Sequence, residues 1–182
     1  MANADNSVLI AQITDTHVGF EAEAGEEEFN FLRFRMTIDH LLAQSVLPDL
    51  LILSGDIADK GQPESYERVK RAVANCPFPV HVMTGNHDHR ENLLTAFPDC
   101  RTANGFAQYV LEVKGLRGIC LDTLEHGRHG GAFCELRAAW LKHQLNEAPE
   151  TPTLIVMHHP PVVVGIDWMD PRRHEAWIKR LA

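Results

Sequence analysis

Four times along the chain a short apolar run stops abruptly on Asp, His or both. Residues 8–13 run into Asp15-Thr16-His17, and residues 50–53 into Ser54-Gly55-Asp56. Residues 80–83 lead to Thr84-Gly85-Asn86-His87-Asp88-His89, and residues 154–157 to His158-His159. Runs this short and this apolar suit strands buried on both faces. Helical patterns between them make the fold class α/β, in which ligands gather at the carboxyl ends of strands. Plain turns would be served as well by glycine, serine or asparagine. With extended geometry continuing past residue 13, Asp15 and His17 are expected to project to the same side.

The intervening patterns fill in the layers. Phe29, Leu32, Met36, His40, Ala43 and Leu47 recur at helical spacing and predict an amphipathic helix buried on that stripe, with His40 a packed structural histidine. Pro63 opens a second helix with Tyr66, Val69, Val73 and Cys76 on one face. Residues 90–97 predict a short third helix, and Leu136, Ala139, Trp140, His143 and Leu145 a fourth. Residues 106–113 and 117–121 read as strands around a Lys114-Gly115 turn. Residues 153–157 read as a further core-like strand. Asp170-Pro171 is an N-cap and N1 pair opening a last helix. The loop at residues 126–131 reads as solvated surface in preference to a substrate-facing lid bearing His126, Arg128 or His129.

With 182 residues, 45% apolar and 23% charged, the chain suits one globular domain. A net charge of −8 argues against a nucleic-acid polymer or an anionic membrane as partner. The N-terminus has no secretory pattern, and no run is long enough to span a bilayer. Four cysteines without a CxxC pair read as free thiols, and the expected location is the cytoplasm. There is no GxSxG elbow, P-loop or GxGxxG. Oxygen and nitrogen donors without thiolate suit Mn, Fe, Zn or Co.

Asp15-x-His17, Gly55-Asp56, Gly85-Asn86-His87-Asp88 and His158-x-Pro160 resemble, in order and spacing, four of the five blocks of calcineurin-like metallophosphoesterases. Asp59, Gly61, Glu64 and Tyr66 after Asp56, the run His158-His159-Pro160-Pro161, and Trp168-Met169-Asp170 resemble the branch with bacterial cyclic-nucleotide phosphodiesterases and glycerophosphodiesterases. The resemblance implies a sandwich of two mixed β-sheets flanked by helices (αββα), with two metal ions at its crest. It assigns Asp15, His17 and Asp56 to one metal, and Asp56, as a bridge, with Asn86 and His158 to the other. It further implies attack on phosphorus by a hydroxide formed at the metals, with a small phosphodiester as substrate. His87 would protonate the leaving group. Asp88 would support catalysis by orienting an imidazole, and His89 and His159 are candidate substrate contacts.

The family's fifth block, Gly-His-x-His, has no counterpart, since His174 is the only histidine after His159. The expectation is a single domain over residues 1–182 that is truncated at its C-terminal end. Alternatives are a phosphomonoesterase or nuclease of the same fold, and a catalytically impaired binding module. A homo-oligomer is left open.

Overall fold

A computed structural model describes residues 7–102 and 104–162. Trp168, His174 and the helix expected from Asp170-Pro171 therefore lie outside the described residues. Strands β1 (Ile10–Ile13), β2 (Leu50–Leu53) and β3 (Val80–Val82) alternate with helices α1 (Phe29–Leu42) and α2 (Pro63–Val73). Helix α3 (Arg90–Ala96), the pair β4 (Tyr109–Val113) and β5 (Leu116–Leu121), helix α4 (Glu135–Glu147) and strand β6 (Thr153–Met157) follow. The first sheet has the order β1-β2-β3 and is parallel; the second, β4-β5-β6, is mixed.

Register brings the chemistry together. Ile13 lies opposite Leu53, and Leu53 opposite Val82, so three apolar runs end side by side. The segments carrying Asp15, Asp56 and Asn86 therefore leave the sheet at one edge. In the second sheet Leu121 lies opposite Met157, which places His158 just beyond that strand end. The hairpin between β4 and β5 closes on Lys114 and Gly115, both at positive φ, as a tight two-residue turn requires.

Alternation along the strands builds the layers. Leu51 and Leu53 join Phe31, Phe34, Ile38, Tyr66, Val69 and Leu93 in a core between the first sheet and its helices. Leu50 and Ile52 point the other way, meeting Leu111 and Cys120 between the sheets. Ile119 and Leu121 turn from that middle layer to Phe133 and Leu141, under α4. The result is the αββα order that the resemblance implies.

Helix α1 buries a different face from the one its spacing predicts, and α4 only part of the predicted one, with Trp140 and Leu145 packed against the core. Helix α1 buries Phe31, Phe34 and Ile38, while Phe29 and Met36 are exposed, as is His40, which is no packed core residue. Two residues' offset turns a helix by roughly 200°. The chosen stripe continues into the partly buried Leu41 and Leu42, whereas the rejected one runs into His40. Helix α4 buries Arg137 and Leu141 and leaves Leu136 and His143 exposed. Strand β6 is also half-exposed rather than core-like, with Leu154 and Ile155 reaching solvent.

All four cysteines are free. Burial pushes the Cys120 thiol up to about 12 against the bond from Tyr109, so it is an inert packing group. Among the described residues no helix is long and apolar enough to cross a membrane.

Candidate metal centre

The first strand end does not stay extended. Asp15 and His17 both take positive φ, at 55° and 45°, and Asp56 does the same at 49°. Non-glycine residues adopt that region at a cost, and such residues cluster at functional sites. Backbone bonds hold them there: Asp15 N–H donates to Gly55 O at 3.1 Å, and His17 N–H to Asp56 O at 2.9 Å. The two loops are zipped past the end of the sheet, and convergence comes from this coil rather than from strand alternation.

Two glycines let the loops close up. A Cβ on Gly55 would lie 2.5 Å from His158 Nδ1, and one on Gly85 would overlap Asp56 Oδ1 and its amide nitrogen. Gly85 thus lets the segment of Asn86 and His87 ride directly over the Asp56 carboxylate.

Asp56 is the hub. It is 3% exposed and its Oδ1 accepts the His87 N–H at 2.9 Å. His17 Nε2 faces Oδ2 at 3.6 Å, and His158 Nε2 faces Oδ1 at 3.6 Å. One oxygen therefore looks to each histidine. Burial opposes the charge of Asp56, but the His158 ring and the His87 amide outweigh it and hold the carboxyl below its usual range. Burial likewise opposes an imidazolium at His158, and Asp56 reverses the sign and raises it.

The far side of each ring fixes its tautomer. His158 Nδ1–H donates to Ser54 O at 2.9 Å, and His17 Nδ1 lies 3.1 Å from Asp59 Oδ1. In the neutral form both rings then turn an Nε2 lone pair toward carboxylate oxygens at 3.6–3.9 Å, beyond hydrogen-bond reach. Lone pairs facing carboxylates fit divalent cations, and a carboxylate or carbonyl behind each imidazole is the usual support for a ligand.

Donor atoms in two groups, His17–Asp56–His87 and Asp15–Asp56–His158, each lie within 4.8 Å of one another. Asp56 is common to both. Asp15 lies with His158 in the second group and is also 3.9 Å from His17 Nε2. The His17 and His87 rings meet edge-on at 4.6 Å, and His87 Nδ1–H donates to Asp59 O at 2.9 Å. Asn86 stands beside them, half-buried, with Nδ2 3.3 Å from His129 Nδ1.

Two expected roles change. Asp88 is buried and accepts from the Ile57, Ala58 and Gly85 amides and from Tyr66 O–H, at 2.8–3.2 Å. It pins two loops together and does not orient an imidazole. Burial raises its pKa to about 6 despite those bonds. His159 is 2% exposed, its Nδ1 2.7 Å from Thr123 Oγ1 and its Nε2 3.2 Å from His129 O. It anchors the loop at residues 126–131 from beneath and has no open face for a substrate. That loop is exposed, as expected, but it also reaches the centre: His129 lies against Asn86 and His87, and His126 meets His89 edge-on at 5.7 Å. His89 is half-buried at the N-cap of α3.

Sequence reasoning assigns Asp59 no role at the centre, although a carboxylate three residues past Asp56 in the same motif is a signal. His129 enters the sequence reading only through the less favoured alternative, a substrate-facing lid on the glycine-rich loop.

Imidazoles and carboxylates thus cluster at aligned strand ends in two groups that could each hold a metal ion. The calcineurin-like phosphoesterase profile matches residues 8–181, and the chain belongs to that family, whose members generally use a dinuclear metal centre. A probable glycerophosphodiester phosphodiesterase of Arcobacter nitrofigilis is 34% identical over 96% of this chain and 65% of its own length. A probable cyclic nucleotide phosphodiesterase of Synechococcus is 35% identical over 90% of this chain and 62% of its own. The 3',5'-cyclic adenosine monophosphate phosphodiesterase of Vibrio vulnificus is 29% identical over 92% and 61%. The chain thus spans 61–65% of the length of these relatives.

Proposed function

We propose that the chain carries the catalytic core of a metal-dependent phosphodiester hydrolase acting on small diesters, 3',5'-cyclic nucleotides or glycerophosphodiesters. The observation that carries this reading is the buried Asp56 carboxylate, with His17 facing one oxygen and His158 the other, each at 3.6 Å. Asp15, His17, Asp56, Asn86 and His158 would hold two ions, Mn, Fe, Zn or Co, with Asp56 shared between them. When bound, such ions supply Lewis acidity at the phosphoryl oxygens and a water acidic enough to ionise near neutral pH.

The remaining work falls to the protein. Asp59 orients His17 through Nδ1 and holds the His87 ring through its carbonyl. With Nδ1–H committed to that carbonyl, His87 would give a proton to the leaving alkoxide from Nε2–H of its imidazolium form, returning to the neutral Nδ1–H tautomer. Asp88 and Tyr66 fix the loops that aim these groups. His89 serves as a substrate contact at the rim. The relatives' names support a small phosphodiester as substrate. Free thiols at all four cysteines support a cytoplasmic location.

The test is Mn²⁺-dependent release of p-nitrophenolate from bis(p-nitrophenyl) phosphate, followed by a cyclic nucleotide and a glycerophosphodiester. Turnover that falls at least 100-fold in Asp56→Ala is the expected result. Absence of turnover with every one of the four metals, or turnover indifferent to Asp56, would overturn the reading.

A further inference from the structure

Beside the candidate centre lies a cavity of about 510 Å³, within the size range of small-molecule sites (roughly 300–1,000 Å³). Its lining joins Asp15, His17 and Asp59 to Phe20, Phe29, Asn30 and Arg33. Phe20 is 59% exposed and Phe29 63%. Two solvent-facing phenylalanines on the rim of one cavity are a costly surface feature unless a ligand covers them. Arg33 already lies over the Phe29 ring, 5.5 Å from its centroid.

These walls are held in place by buried polar bonds. The Glu28 carboxylate is fully buried and accepts the Gly19 N–H at 2.8 Å at each oxygen, fixing the residue before Phe20 beside the residue before Phe29. Arg68 donates to the same carboxylate at 3.0 Å. Asn30 Nδ2 donates to His17 O at 3.1 Å, which ties the first turn of α1 to the candidate metal ligand itself. The two aromatic rings are thus presented on a pre-ordered frame beside the candidate metal ligands.

Resting on the proposed phosphodiesterase reading, we infer that this cavity receives a planar aromatic substituent of the diester against Phe20 and Phe29. The chain is then selective for nucleotide diesters over diesters of small aliphatic alcohols. Phenylalanine faces favour a heteroaromatic base through stacking, and Arg33 adds a cation to the same wall. A glycerol group would leave both rings in water and gain nothing from them.

The test compares binding of two phosphate monoesters, adenosine 5'-monophosphate and glycerol 3-phosphate, to the Mn²⁺-supplemented protein by calorimetry. The two share the phosphate and differ in the group the cavity would hold. The nucleotide is expected to bind at least about tenfold more tightly, consistent with the worth of one base–aromatic stack. Phe20→Ala and Phe29→Ala together should abolish that ratio while leaving glycerol 3-phosphate affinity and the melting temperature unchanged; both side chains are exposed, so folding is preserved. Equal affinity for the two monoesters, or a preference that survives the double substitution, overturns the cavity's role while leaving the hydrolase reading standing. Binding of neither monoester at millimolar concentration overturns both.

Discussion

The two sheets contribute to the centre in different ways. The parallel sheet has a central strand, β2, buried at all four residues, and it delivers Asp15, His17, Asp56, Asn86 and His87. The mixed sheet ends on the half-exposed β6 and delivers His158. Strained backbone is concentrated on the first side, at Asp15, His17 and Asp56. The parallel half supplies most of the candidate ligands and stores the cost of crowding them, while the mixed half supplies a counter-wall. A continuous apolar strand can support such strain because its own register is fixed by burial on both faces.

What joins the halves is a buried carboxylate on β5's exit. Asp122 is fully buried and takes two bonds from Arg90 at 2.5 and 3.0 Å, with the Ala107 and Leu124 amides at 2.9 Å. Arg137 of α4 lies 3.6 Å away. The largest effect is therefore expected for Asp122→Ala, which strands Arg90 and Arg137 and should cost about 3–5 kcal/mol by denaturant unfolding. Burial works against the charge of Asp122, and Arg90 outweighs it, lowering the pKa. A lowered carboxyl contributes stability that is present above its unfolded value, near 3.8, and is lost as pH falls through the folded value. Wild type should accordingly lose stability more steeply than Asp122→Asn as pH falls below about 4.

On the strained side, Gly85→Ala should cost about 1–3 kcal/mol, because the new methyl meets the Asp56 carboxylate and amide. Thermal unfolding would record that loss, and Mn²⁺ affinity should fall with it, whereas a substitution in the mixed half away from His158 would leave affinity intact. Tyr66→Phe removes one donor, at 2.9 Å, from the Asp88 cluster that pins two loops. Its expected cost is about 1.5–3 kcal/mol, as for a bond to a buried charged group, with secondary structure by circular dichroism unchanged.

The order of elements was legible because β2 is an unbroken apolar run, and because Asp and His mark where the strands stop. The buried face of α1 was not: that helix carries two apolar stripes, and only the sheet decides which one is covered. At the centre, Asp56 and His158 could be read from their motifs, and the coil that brings Asp15 beside His17 could not, since residue type does not announce positive φ outside glycine. Asp59 and His129 reach the site through tertiary contacts 28–43 residues distant in sequence. Asp88 and His159 looked like chemistry because of their type, and burial gave them structural bonds.

Metal content tests the central claim, that Asp56 is shared by two ions at the meeting of these strand ends. After incubation with Mn²⁺ and removal of free ions, wild type should retain more than one ion per chain, and Asp56→Ala should retain none. Two ions held by Asp56→Ala would contradict the shared-carboxylate centre.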